Sequence, residues 1–161
     1  MPETSFERGL LIFFRLAMGW TFLYAGLTQV TDPNFSVAGF LANTKTFHDV
    51  LAPFGAAGIA PVTTFLVEWG HTLIGISLII GLATRLSAFF GIFLMAIYYM
   101  AHMDFPYVET QFNYIVDYHM VYGAVLLYVM AKHAGRVWGL DGLADRLPIL
   151  AGLPGLRALV C

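Results

Sequence analysis

Apolar residues arrive in four long runs separated by shorter polar or proline-bearing segments, and this blocking organises the whole chain. The runs cover about residues 10–30, 61–82, 86–101 and 114–131. Crossing about 30 Å of hydrocarbon takes roughly 20 helical residues, so each run reads as a membrane span. The last two are short and need interfacial residues to complete them. Thr31-Asp32-Pro33-Asn34 ends the first run with turn formers and a proline. Pro61 stands near the start of the second, where a missing N–H costs little. Only Ala83-Thr84-Arg85 separates the second and third runs, which predicts a tight antiparallel hairpin. The pattern predicts an all-α integral membrane four-helix bundle, a single domain over residues 1–161.

Two connecting segments are not simply polar. Residues 31–60 contain Phe35, Val37, Phe40, Leu41, Phe47, Val50, Leu51 and Phe54, which predicts one short amphipathic helix lying on the membrane or lidding the bundle. Residues 138–161 carry Leu140, Leu143, Leu147, Ile149 and Leu150, interrupted by Pro148 and Pro154. That tail is too broken to span and is expected along the cytoplasmic surface.

Composition narrows the class. Charged residues make up 11% and hydrophobic ones 59%, with a mean hydropathy of +0.75. Soluble domains carry about 25% charged residues, so this chain cannot build a water-facing surface. A net charge of −2 offers no basic face to nucleic acid. The single cysteine, Cys161, excludes an internal disulfide, a CxxC pair and a cysteine-ligated cluster. Residues 1–9 lack a signal-peptide n-region and no small-residue cleavage site follows the first run, so that run is expected to remain as an anchor.

Orientation follows the Lys and Arg bias. With the N-terminus inside, Arg8, Arg15, Arg85, Lys132, Arg136, Arg146 and Arg157 fall on the inner side and Lys45 alone on the outer. The expectation is a multi-pass protein of the cytoplasmic membrane with both termini cytoplasmic.

Ionisable groups inside hydrocarbon are costly and mark function or face a bundle interior. Arg15, Glu68 and His71 lie within the spans, and His102, Asp117 and His119 lie at the outer boundary. Arg15 can also snorkel to the inner surface. Glu68 sits about 10 Å deep in span two and needs a proton, a partner or water there. Glu68 and His71 form E-x-x-H on one helix face, as in di-iron bundles, but no second such motif and no further intramembrane glutamate exist. No metal site is expected. Haem needs two histidines at matched depth, and only His102 with His119 qualify. Both also serve as ordinary interfacial residues, so haem is set aside. Asp117 and His119 stand about 200° apart on a helix. They therefore cannot share a face once the helix has begun, whereas His119 aligns with Tyr122. Tyr98, Tyr99, Tyr107, Tyr114 and Tyr118 fit an interfacial aromatic belt.

The stretches RLAMGWTFLYAGLTQVTDP (15–33), GISLIIGLATRLSAFFG (75–91), IVDYHMVYG (115–123) and AGRVWGLD (134–141) together resemble the DoxX/DoxD family of small four-helix membrane proteins. One departure is Gln29, where the family's first helix often ends G-x-x-K. The resemblance implies a four-helix membrane fold. Through DoxD, it also implies the membrane subunit of a thiosulfate:quinone oxidoreductase working beside a partner subunit.

The leading expectation is a membrane subunit of a quinone-linked oxidoreductase. Quinone, arriving from the bilayer, would be held near Glu68, His71, Asp117 or His119, with Arg15, His102 and Tyr122 as further binding candidates. A carboxyl–imidazole set suits its two-proton chemistry. The sequence has no haem, flavin or cluster motif, so electrons pass directly or through a partner. The alternative is a non-catalytic accessory subunit packed against a larger respiratory or photosynthetic complex, its glycines allowing close helix approach. A solute transporter finds little support without broken helices or an inverted repeat.

Overall fold

The computed structural model of the chain describes residues 4–145. Helix α1 (Ser5–Thr31) opens on a capping box. The Thr4 hydroxyl accepts from the Glu7 N–H at 3.2 Å, and the Glu7 carboxylate accepts from the Thr4 N–H at 2.7 Å. The box satisfies donors that a first helical turn leaves free. The helix stops at Asp32, whose backbone is extended ahead of Pro33.

Where the pattern predicts one amphipathic helix, the chain forms two: α2 (Ala38–Ala42) and α3 (His48–Leu51), then a 3-10 turn, Ala52–Gly55. The break falls at Thr44, whose hydroxyl donates to the Leu41 carbonyl at 2.8 Å and competes with continued helix. Val37, Leu41 and Leu51 pack with Ala101 against Val67 and Ile97, so the segment lids one end of the bundle.

Helix α4 (Ala60–Ile80) has Pro61 in its first turn and ends at Gly81, which takes the left-handed conformation with φ 69°. Helix α5 (Thr84–His102) returns antiparallel. Helix α1 packs chiefly on α4, and glycines set how closely. A Cβ on Gly75 would lie 2.3 Å from the Leu23 backbone nitrogen, and one on Gly26 2.5 Å from that of Thr72. The helices meet backbone to backbone, as small residues permit in membranes.

After α5 comes an element the apolar blocking does not disclose. Three short strands, β1 (Met103–Asp104), β2 (Tyr107–Val108) and β3 (Thr110–Tyr114), form an antiparallel sheet in that order. Glu109 and Ile115, with φ of 62° and 61°, turn the chain at either end of β3. The fourth apolar run therefore does not become helix at Tyr114. Helix α6 (Tyr118–Ala131) has 14 residues and packs on α5. The all-α expectation is corrected to a mostly helical chain with this small sheet.

Helices α1, α4 and α5 are long and apolar enough to cross a membrane, and α6 is a shorter apolar helix. Trp20, Phe65, Trp69, Phe89, Phe90 and Phe93 all face outward, an apolar surface no soluble monomer carries. Inside lie Leu11, Met18, Phe22, Leu78, Leu126 and Val129. The protein is a multi-pass helical membrane protein whose helices contact lipid.

The bundle has two ends. The lid and the sheet form the hairpin end. At the opposite, turn end, the α4–α5 connection meets a 3-10 turn (Ala134–Arg136) and helix α7 (Asp141–Ala144). There Arg15 is 2% exposed and donates to the carbonyls of Ala134 (2.8 Å), Val137 (3.0 Å) and Trp138 (3.0 Å). Asp141, its counter-charge, accepts from the backbone N–H groups of Ala83 (2.7 Å) and Thr84 (3.1 Å). Arg15 thus does not snorkel to the surface. It clasps the segment after α6 to α1, and Asp141 ties the same segment to the α4–α5 turn. Arg146, Leu147, Pro148, Ile149, Leu150, Pro154, Arg157 and Cys161 lie outside the described residues.

Candidate functional site

Aromatic and imidazole rings from α1, α4, α5 and α6 gather toward the hairpin end. His71, about 16 Å along α4 from its start, stacks on Tyr98 with centroids 5.5 Å apart and planes at 16°. Phe22 of α1 flanks it at 5.7 Å. Tyr98 neighbours His119 at 5.9 Å, and His119 stacks on His102 at 5.0 Å. Tyr118 lies 4.1 Å from His119 and 5.6 Å from Tyr122. The set runs from mid-bundle to the hairpin end.

Local sequence explains each position. Tyr98 and His102 are four apart on α5, as are Tyr118 and Tyr122 on α6, so each pair shares a face. Asp117 is the N-cap of α6, with φ −134°, and its carboxylate accepts from the backbone N–H groups of His119 (3.1 Å) and Met120 (3.4 Å). Because Asp117 stands before the first turn, helical phase does not separate it from His119. Its second oxygen accepts from the His119 Nδ1–H. Both residues are buried, at 5% and 4% exposure. The negative charge also suits the positive end of the helix dipole.

The three histidines share a bonding pattern. A carbonyl can only accept, so the Nδ1 of His71 donates to Val67 O at 2.9 Å and that of His102 to Tyr98 O at 2.9 Å. With His119 tied to Asp117, all three direct a proton from Nδ1 to a fixed acceptor. Nε2 is left carrying the lone pair in the neutral ring.

These rings border a cavity of about 250 Å³ whose wall also includes Gln29 and Met95. Thr21 and Ala25 of α1 and Tyr118 and Tyr122 of α6 form its rim. Thr21 and Tyr118 are exposed, so the cavity opens sideways between α1 and α6. The Gln29 side chain sits beside Tyr98, and its Oε1 is buried without a partner among the described residues. A buried acceptor left unpaired costs about 1–3 kcal/mol, which an incoming donor relieves.

Of the sequence candidates, His71, His102, His119 and Tyr122 line the cavity, and Asp117 stands directly behind His119. Glu68 is half-buried on α4 but absent from the cavity wall. Arg15 lies seven residues before Phe22 on α1, about 10 Å away toward the turn end, and is committed to the clasp. Tyr98, Tyr118 and Gln29 are cavity residues that the sequence reading leaves among belt tyrosines and family departures. The four-residue spacings of the tyrosines were the available signal. No group of three or more acidic, histidine or cysteine side chains is placed to hold a metal among the described residues.

A helical membrane protein with a laterally open, histidine- and tyrosine-lined cavity is the class this geometry defines. The DoxX family model matches residues 10–103, more than half of the chain, and the protein belongs to the DoxX family. No curated protein and no solved structure matches it. The matched region contains Gln29, His71, Tyr98 and His102, while Asp117, His119 and Tyr122 follow it in sequence.

Proposed function

We propose that the protein is the membrane subunit of a quinone-linked oxidoreductase, with the ring-lined cavity as its head-group site. The observation that carries this is the convergence of His71, Tyr98, His119 and Tyr122 on about 250 Å³ between apolar helices. That volume is below the roughly 300–1,000 Å³ of pockets enclosing whole drug-sized ligands. It suits one ring, whose apolar tail would pass between α1 and α6 into the bilayer. The aromatic walls offer stacking faces, histidine Nε2 and tyrosine hydroxyls offer hydrogen bonds to ring oxygens, and the orphan Gln29 oxygen accepts from a hydroxyl.

A bound quinone supplies reversible two-electron, two-proton chemistry. His119 holds a proton at Nε2 when charged, while Asp117 fixes its tautomer through Nδ1 and stabilises the imidazolium. Asp117 is in turn held by the α6 backbone donors. His71 orients the deep end of the ring, and the apolar walls exclude water. The electron donor in this reading is a reduced sulfur compound of the thiosulfate type, acting directly or through a partner subunit. Helices α1, α4, α5 and α6 are its four spans in the cytoplasmic membrane, with both termini cytoplasmic. Lys45 at the hairpin end, against Arg85, Lys132 and Arg136 at the turn end, supports that orientation.

The second reading is an accessory subunit within a larger membrane complex. Phe105 and Phe112 of the sheet, 71% and 86% exposed, favour it as partner-facing anchors.

His119→Phe tests the first reading. The full chain in mild detergent is titrated with decylubiquinone. Loss of one charge-assisted hydrogen bond weakens binding about ten- to hundredfold. A folded variant with wild-type affinity would refute the quinone site.

A further inference from the structure

The hairpin end holds a second, larger cavity of about 580 Å³ between α2 and the sheet. Its character is different. Asn43, Lys45, Asp104, Glu109, Thr110 and Gln111 line it, all exposed, and Lys45 and Asp104 form an ion pair across it. It is a solvent-facing cleft beside the ring-lined cavity. One residue belongs to the walls of both, His102.

The Asp117–His119 pair is buried, and the cavity that His119 lines opens between apolar helices, so a change in its protonation requires a route to water. His102 stands on that route. Its ring stacks on His119 at 5.0 Å and lies 4.9 Å from Phe40 of the lid. Its Nδ1 proton is committed to Tyr98 O, so Nε2 is the atom that accepts from the cleft. Its ring neighbours are Tyr98 on its own helix and His119 from α6. The titratable groups that share the cleft wall with it are Lys45, which follows α2, Asp104 and Tyr107 of the sheet, and Glu109 at the turn between β2 and β3. A competing path exists, because Glu109 in the cleft wall adjoins the Tyr118 side chain.

We propose that His102 is the proton relay between the solvent-facing cleft and the buried His119–Asp117 pair. The cleft hydrates and protonates Nε2 of His102. Rotation of that ring about its side-chain axis then carries the proton to Nε2 of His119. An imidazole suits this step because it takes and gives a proton near neutral pH. The use of the relay rests on the quinone reading: two electrons from the reduced sulfur donor are accompanied by two protons, one for each ring oxygen. Those protons come from the cleft, and oxidation in the reverse direction returns them there.

The test uses the full chain in lipid nanodiscs and follows deuterium exchange at the His119 imidazole C2–H by mass spectrometry across pH. That exchange requires the ring to be protonated and reached by base, whatever ligand is present. In His102→Phe, which keeps a ring at the stacking position, His119 exchange is expected to slow by about tenfold or more. In Glu109→Gln it is expected to stay within about twofold of wild type. His102→Gln, polar but unable to relay, repeats the result if phenylalanine disturbs folding. Unchanged His119 exchange in both His102 variants overturns the relay, as does slowing in Glu109→Gln alone, which would place the path through Tyr118. Decylubiquinone affinity separates the two ideas. If wild type binds none, the quinone site fails while the exchange data still judge the relay. If His102→Phe binds about tenfold more weakly, His102 is a ligand contact and the relay assignment is wrong.

Discussion

Replacing Arg15 with methionine removes the clasp while leaving an unbranched apolar side chain to fill part of the space. Three hydrogen bonds of 2.8–3.0 Å are lost, and the carbonyls of Ala134, Val137 and Trp138 lose a charged donor. Asp141 loses its counter-charge at a site where it is 1% exposed. Breaking a buried, hydrogen-bonded charged group from one side costs about 3–5 kcal/mol. For a chain of this size that corresponds to a fall in melting temperature of about 10 °C. The assay is thermal unfolding in detergent, paired with limited proteolysis of residues 132–145, which should become cleavable. Arg15→Lys should fall between, because one ammonium cannot span three carbonyls as the planar guanidinium does. Asp141→Asn should also destabilise, since an amide NH₂ would confront the donors of Ala83 or Thr84. A melting temperature within about 2 °C of wild type in Arg15→Met, with the segment still protected, would refute the clasp.

Two further outcomes follow from the packing and from the cavity wall. Gly75→Ala forces its new methyl against the Leu23 backbone and should cost about 1–3 kcal/mol by thermal unfolding, whereas Gly70→Ala meets nothing within 4 Å and should not destabilise. Glu68→Gln should leave decylubiquinone affinity within about twofold, because Glu68 is not part of the cavity wall; a tenfold loss would return that carboxylate to the site.

Much of the fold was legible because membrane spans announce themselves through length and hydropathy, and the helices begin and end near their proline and glycine signals. The sheet was not, because Thr110–Tyr114 mixes polar and aromatic residues that belong equally to a helix mouth. It is the turns at Glu109 and Ile115 that settle it as strand, and no residue type there demands them. His71, His119 and Tyr122 could be nominated from their rarity and their spacing. Tyr98 could not be told from a belt tyrosine, since one helix in isolation does not reveal which face meets a neighbour. The clasp at Arg15 was hidden for a similar reason: its partners are backbone carbonyls more than a hundred residues away, and backbone acceptors leave no trace in side-chain pattern.

The clasp also has a meaning in time. Arg15 lies in a helix that is synthesised well before its acceptors, which come from a segment that emerges only after α6 is complete. Until then a guanidinium destined for the bundle interior has no protein partner and must be kept hydrated at the membrane surface. Closing the clasp therefore has to wait until α1, α4, α5 and α6 have all been made. A chain cut short before Ala134 would leave the Arg15 guanidinium on α1 without the three carbonyls that hold it in the finished protein.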